Sequence, residues 1–543
     1  MPFAPPSLTH KRAPRPASGP NLAPASPPPE GEGQGEGLHG FRIRKSQKRA
    51  CCPGRTSPHP VPLPLGEGTE WRRSTPFGPG VATLALAGIA LALPAGAEPL
   101  VAELLAASKV TLTDNIDLEP AGAREAALVW TNSAGATLRQ QSARTYLSAD
   151  YRLDFDSIFG EERTESDLRH TLDAMARGEA VRRLLFIEAQ ATATQVPERT
   201  GVAPSPSDSS GNRDRVGLQT IRLSPSLTPR LGRFGAAELR YEYARAFTAS
   251  DLVAEPESHL GRAQVDFGGA RHRLTLLGEA ETTDGRGRSA DSERRTGELR
   301  LAGAVSRALT LEAMAGYEDL DSDSWGDPFK GPVWTAGLTF TPGRRTKLEA
   351  RAGRRYEAPF LDARLSFDPS PRTTLAAEAV RSFTAGIDTL APAAFVLDPA
   401  TGAPVALPGV ETRDGFGITD QSYRFSRVAL SASTRRDANR YAVSFRWEDR
   451  DYRARPDESL AEARLTWGHA LSRRLTVETS AFARRAEVEG SGTRLAGGGT
   501  LSLDWRLSER LSLTTGLGHA RGEAGDDRQY HETTLTLALG WRF

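Results

Sequence analysis

The last nine residues, Leu535-Thr536-Leu537-Ala538-Leu539-Gly540-Trp541-Arg542-Phe543, constrain the fold more than any other stretch of the chain. Large apolar residues occupy every second position (Leu535, Leu537, Leu539, Trp541, Phe543), and Thr536, Ala538, Gly540 and Arg542 fill the gaps. A period of two sends alternate side chains to opposite faces of a strand. One face therefore suits lipid, with aromatics at the interface, and the other suits water. An amphipathic strand of a soluble sandwich has the same period, so the tail must be weighed with the rest of the chain.

The same two-residue period runs back through the sequence. Tyr441, Val443, Phe445 and Trp447 oppose Ala442, Ser444, Arg446 and Glu448; Ala237, Leu239, Tyr241 and Tyr243 oppose Glu238, Arg240 and Glu242; Leu309, Leu311, Ala313, Ala315 and Tyr317 oppose Glu312 and Met314; Leu348, Ala350 and Ala352 oppose Lys347, Glu349 and Arg351. One face is apolar and the other carries charge of both signs, the inverted pattern of a barrel with a wet interior. Short links alternate with longer polar stretches at 156–169, 197–214, 248–257, 285–293, 322–330, 386–420 and 523–528. The pattern predicts an all-β, transmembrane, antiparallel up-and-down β-barrel over 110–543, of about 22 strands within a range of roughly 18–24. A terminal strand ending in Phe also resembles the signal by which the assembly machinery of bacterial outer membranes recognises its substrates, which makes Leu535, Leu537, Leu539, Trp541 and Phe543 the expected assembly signal.

The region ahead of the strands reads differently. Residues 1–70 are rich in Pro, Gly and Arg, and PPPEGEGQGEG (27–37) and HPVPLPLGEGTE (59–70) look like one low-complexity word repeated. They read as a disordered extension or the product of a start codon assigned too far upstream. Arg72 and Arg73, the apolar run 81–93 and Ala95-Gly96-Ala97 have the layout of a cleaved export signal over 71–97. Residues 98–109 are then expected as a short periplasmic N-terminus, too short for a folded plug domain. Both cysteines, Cys51 and Cys52, precede the cleavage site, so disulfides and cysteine chemistry are excluded from the mature chain. Residues 1–97 hold 11 of the 69 Lys+Arg and 5 of the 68 Asp+Glu, so the mature chain has a net charge of −5. Nothing in that balance favours a nucleic-acid partner.

Sites of chemistry are sparse. His170, His259, His272, His469, His519 and His531 are scattered and form no HxxxH, HxH or HExxH pair, and no G-x-S-x-G elbow is present. No catalytic residue, cofactor or metal is assigned, and the chain is expected not to be an enzyme. The acidic run 318–327 is expected as a solvated loop, with calcium binding the weaker reading, and the glycines at 497–499 and 516–522 as small residues in curved strands. The lumen is the functional surface the pattern predicts: Glu238, Arg240, Glu242, Glu279, Glu281, Glu312, Lys347, Glu349, Arg351, Arg446, Glu448 and Glu478 should face inward, either bracing the wall as ion pairs or lining a polar track. The 386–420 loop is the best constriction candidate, with an exposed position favoured over an inward one.

Two segments carry a family resemblance: Leu112-Thr113-Asp114-Asn115-Ile116-Asp117-Leu118 with Leu147-Ser148-Ala149-Asp150-Tyr151-Arg152-Leu153, and Trp334-Thr335-Ala336-Gly337-Leu338-Thr339-Phe340-Thr341-Pro342-Gly343-Arg344-Arg345-Thr346. Together with the tail they resemble the outer-membrane β-barrel family associated with PEP-CTERM/exosortase systems, itself similar to β-barrel porins of proteobacteria. The resemblance implies a Gram-negative outer membrane, contact with its lipid and lipopolysaccharide, and a channel or export-associated porin linked to exopolysaccharide secretion, with polysaccharide-export components as partners. A non-conducting docking barrel is the alternative, and a barrel enzyme acting on lipid or glycan a lower one. The family offers no catalytic residue to carry over.

Overall fold

The computed structural model describes residues 100–543 except 162–163, 202–204, 206–214, 251, 270, 286–290, 327, 391–394, 398–403, 407–414 and 525–527. The extension at 1–70, the export signal at 71–97 and any structure ahead of the first strand, a plug included, lie outside the described residues.

Twenty-two antiparallel strands close into one ring. In chain order they are β1 (Val101–Thr113), β2 (Ala127–Gln141), β3 (Thr145–Gly160), β4 (Thr164–Val181), β5 (Leu185–Pro197), β6 (Arg215–Leu227), β7 (Gly235–Thr248), β8 (Glu257–Gly268), β9 (His272–Asp284), β10 (Ser292–Ala304), β11 (Leu309–Ser322), β12 (Phe329–Gly343), β13 (Thr346–Arg355), β14 (Ala358–Ser370) and β15 (Thr373–Thr384). A small separate hairpin, β16 (Phe395–Leu397) and β17 (Pro404–Ala406), follows, and the ring resumes with β18 (Tyr423–Arg436), β19 (Asn439–Tyr452), β20 (Glu458–Ala470), β21 (Leu475–Val488), β22 (Gly492–Arg506), β23 (Leu511–Ala524) and β24 (Arg528–Arg542). Each strand pairs with its neighbours in sequence, β15 with β18, and β24 closes on β1 with Leu105 opposite Arg542 and Thr113 opposite Thr534. Closure satisfies every strand edge, which a bilayer demands. At 10–18 residues, the strands are long enough to span a hydrocarbon core.

Both ends of the ring strand series lie at the same end of the barrel, where every link is short: 142–144, 182–184, 228–234, 269–271, 305–308, 344–345, 371–372, 437–438, 471–474 and 507–510. The opposite end carries the long links, 114–126, 198–214, 249–256 and 385–422 among them. We call these the turn end and the loop end. The strand walls also come close in places: a Cβ on Gly498 would lie 2.6 Å from the His519 carbonyl oxygen, so only glycine fits there.

Several boundaries differ from those expected. The first strand starts at Val101 rather than 110, so most of the stretch expected as a periplasmic N-terminus is wall. Its early residues alternate poorly, but β2 and β24 pair with it on both sides. The stretch 156–169 is not a loop: β3 and β4 continue through it to a link at 161–163. Its sequence is polar because the inner face of a wet barrel is polar; Phe155, Phe159 and Leu168, all exposed, mark the outer face. Likewise Glu318–Ser322 of the acidic run are the end of β11, and Glu318 is buried.

Candidate functional site

The inner face is identified by what crosses the mouth. Arg494 Nη1 on β22 donates to the Thr200 carbonyl (3.1 Å), Ser205 Oγ donates to Glu532 Oε2 on β24 (2.6 Å), and Arg450 on β19 stacks on the Phe416 ring, 3.6 Å from its centroid. All three wall residues belong to the face away from Leu239, Tyr241, Leu311, Tyr317, Tyr441, Val443, Leu535, Leu537 and Trp541, which are 37–54% exposed and form the outer apolar surface. Phe543 ends that surface, and its N–H and C=O meet the backbone of Leu104 at the β1–β24 seam. Glu238, Arg240, Glu242, Glu279, Glu281, Glu312, Lys347, Glu349, Arg351, Arg446, Glu448 and Glu478 fall on the inner face by strand parity.

The structure draws most of these residues into ion pairs. Arg240 bonds both Glu188 (2.9 Å) and Glu238 (2.8 Å), and Arg222 pairs with Glu242. Arg294 meets Glu281 at 2.5 Å and Arg262 meets Glu279 at 3.5 Å. Lys347 pairs with Glu349 at 2.9 Å. Between β13 and β21 a pattern repeats that the sequence did not disclose, in which four buried carboxylates each hold two arginines. Asp362 takes Arg351 (2.8 Å) and Arg364 (3.5 Å); Glu378 takes Arg427 (2.6 Å) and Arg364 (3.8 Å); Glu448 takes Arg450 (2.7 Å) and Arg446 (3.7 Å); Glu462 takes Arg484 (2.5 Å) and Arg464 (3.1 Å).

The wall across from this is built on aspartates. In the ring, β3 and β14 are eleven strands apart in either direction. On β3, Asp156, Asp154 and Asp150 accept hydrogen bonds from the β2 hydroxyls of Thr131 (2.5 Å), Ser133 (2.5 Å) and Thr137 (2.7 Å). Each also has one arginine: Arg169 on Asp156 (2.7 Å), Arg152 on Asp154 (2.8 Å) and Arg139 on Asp150 (2.6 Å). Sequence reasoning missed Asp156 and Arg169 because it placed both in a loop. Their signal was the alternation Leu153-Asp154-Phe155-Asp156, whose acids face the alternating hydroxyls of β2.

At the loop end, described parts of three links pack together. Gly201 N–H donates to the Gly415 carbonyl (2.9 Å), Ile418 N–H to the Pro197 carbonyl (2.9 Å) and Gly417 N–H to Thr200 Oγ1 (2.8 Å). Ala254 N–H donates to Asp420 Oδ2 at 2.7 Å. Ile387, Leu390 and Ile418 pack on the inner faces of Val196, Leu218, Ala244 and Ala246, while Phe416 packs on Leu460 and Ala486. Leu218 lies on β6 and Arg450 on β19, strands at opposite points of the ring, so this cap joins facing walls. The described ends of the 386–420 loop thus turn inward, against the expected exposed position. Apolar burial drives it: Ile387, Leu390 and Phe416 are at most 2% exposed. Beside the cap, Trp325, Phe329, Tyr356 and Phe383 form an aromatic cluster whose burial pushes the Tyr356 phenol above its usual range. Among the described residues no three His, Cys, Asp or Glu are grouped to hold a metal ion.

No family model and no curated protein matches the chain. Solved structures with a similar fold include the siderophore receptor PirA from Acinetobacter baumannii (8% identity, 82% of this chain and 81% of that one, TM-score 0.46) and the FrpB iron transporter from Neisseria meningitidis (8%, 82% and 83%, 0.47). Another is OpdK from Pseudomonas aeruginosa, solved with vanillate (9%, 81% and 99%, 0.31). With a closed ring, an apolar exterior and a charged interior, the chain is an outer-membrane-type β-barrel.

Proposed function

We propose that this barrel is an outer-membrane channel for hydrophilic solutes whose loop-end mouth is narrowed by its own links. One observation carries the reading: a closed 22-strand ring with charged side chains on its inner face. Barrels of this size enclose a lumen wider than their side chains fill, and charged inner walls are stable there only because water wets them. The finer assignment, a porin serving exopolysaccharide export in a PEP-CTERM/exosortase setting, rests on the sequence resemblance alone and is part of the proposal.

The cap favours a second reading, a docking barrel that does not conduct, because it joins facing walls with buried apolar contacts. Planar-bilayer recording separates the two. Thr384 and Tyr423 face each other across β15 and β18. Deleting 387–420 therefore leaves Ala385, Gly386, Gln421 and Ser422 as a hairpin link. The channel reading expects openings that grow several-fold in this deletion. Silence from both the full chain and the deletion, each shown to be inserted, would favour docking and sink the channel.

A further inference from the structure

We infer that the arginine wall of β13–β21 is a binding surface for oxyanion-bearing solutes, carboxylates or phosphates and sulfates of like geometry. The inference gives a substrate class to the lumen and so rests on the channel reading, but its binding test does not require conductance.

The argument starts from how the arginines are held. Asp362, Glu378, Glu448 and Glu462 have side chains only 5–14% exposed, sunk into the wall, and each draws two guanidinium groups over itself. Because Arg364 is shared by Asp362 and Glu378, seven guanidinium groups stand over four carboxylates, and three positive charges are left without an acid of their own. Arg351, Arg364 and Arg464 are the members of these pairs that stay 36–48% exposed on the lumen side. A guanidinium presents five donors in a planar fork. When an acid takes one edge, the remaining donors keep the bidentate geometry that suits carboxylate and phosphate.

Placement makes the three a surface rather than scattered charges. Arg351 lies opposite Asp362 and Arg364 opposite Glu378 in the strand register, which continues through Arg427 opposite Glu448 and Arg446 opposite Glu462 to Glu462 opposite Arg484. The series climbs from Arg351 and Arg464, each about midway along its strand, to Arg450, which Phe416 covers under the cap. Other charges on the sector do not reverse its sign: Lys347 and Glu349 pair with each other, the buried Glu458 pairs with Arg455, and Glu478 lies nearer the turn end on β21. The opposing wall has the inverse arrangement, one arginine per aspartate with hydroxyls as the other donors, and Asp173 opposite Asp150 adds a further acid. An anionic solute thus finds no surplus of guanidinium groups on that wall and is held by the other.

The test is calorimetric titration of citrate and of polygalacturonate, with neutral dextran as control, into the detergent-solubilised full chain. The double variant Arg351→Gln/Arg464→Gln leaves Asp362 its Arg364 and Glu462 its Arg484, so neither acid is orphaned. Arg364→Gln alone serves as an independent second variant, and heat-modifiable migration checks that each is folded. Saturable binding of either polycarboxylate, weakened by about tenfold or more in the double variant and unchanged in Asp150→Asn/Asp173→Asn, is the expected result. Binding of citrate alone indicates small anions, and binding of polygalacturonate as well indicates a polymer track. The inference is overturned if neither polycarboxylate binds, if dextran binds equally, or if both arginine variants bind like the wild type. Failure of the bilayer recordings above, by contrast, would remove conduction and leave this binding result standing.

Discussion

Glu448 shows what a single inner-face residue does here. Its carboxylate is 5% exposed, bonds Arg450 at 2.7 Å and lies 3.7 Å from Arg446, itself 13% exposed. Removing one partner of a buried ionic group leaves the others uncompensated, at a cost of roughly 3–5 kcal/mol. Arg464 is different, because it is 48% exposed and shares Glu462 with Arg484; a half-solvated ion pair contributes about 0–1 kcal/mol. Glu448→Gln should therefore lower the midpoint of urea unfolding in micelles far more than Arg464→Gln. Equal effects would show that the wall carboxylates are not anchors. At this scale the sequence was legible only in part. Period two assigns Glu448, Arg446 and Arg450 to one face of β19, where they pair two residues apart, but the cross-strand partners, Arg427 on Glu378 and Arg484 on Glu462, follow only from the register once the strands are paired.

The same distinction between face and register holds for whole strands. In β24, Leu537 is 54% exposed on the outer face, and its neighbour Ala538 is on the inner face opposite Lys109 of β1. Arginine on the lipid face near the bilayer midplane costs about 2–4 kcal/mol, whereas a lumen position is wet. Leu537→Arg is expected to lower the yield of folded, heat-modifiable barrel, and Ala538→Arg to be tolerated, as measured by refolding into lipid vesicles. Reversed tolerance would mean that the tail's faces are assigned backwards. Strand identity was readable wherever the outer face carried large residues, as in β7, β11 and β19. It was lost where polarity masked it, as in β3 and β4, whose inner faces near the loop end are mostly acid, hydroxyl and arginine with Ile158 among them, and in β1, whose alternation breaks at its start. A polarity-based reading takes a wet inner wall for a loop; the exposed Phe155 and Phe159 two turns of the pleat apart are what corrects it.

For the molecule as a whole, the cap is the feature that sequence could not reach, because it depends on which walls face each other. Thr200 and Gly201 follow β5, yet Arg494 of β22 bonds the Thr200 carbonyl, and a Cβ on Gly201 would lie 3.1 Å from the Ala486 Cβ of β21. That separation is close to the spacing a disulfide spans, about 3.5–4.5 Å between Cβ atoms. With Cys51 and Cys52 changed to serine, the chain has no other cysteine. Gly201→Cys/Ala486→Cys is then expected to form an intramolecular bond on mild oxidation of the inserted barrel, visible as a faster-migrating denatured band that reductant abolishes. Gly201 has φ +80°, where a side chain is strained, so the bond should form slowly rather than spontaneously during purification. Because the bond would fix the 198–201 segment to the opposite wall, it should also reduce bilayer openings, and reductant should restore them. A cross-link that forms without changing the openings would show that this segment of the cap stands clear of the conducting path, while failure to cross-link at all would place the segment away from β21 in the membrane.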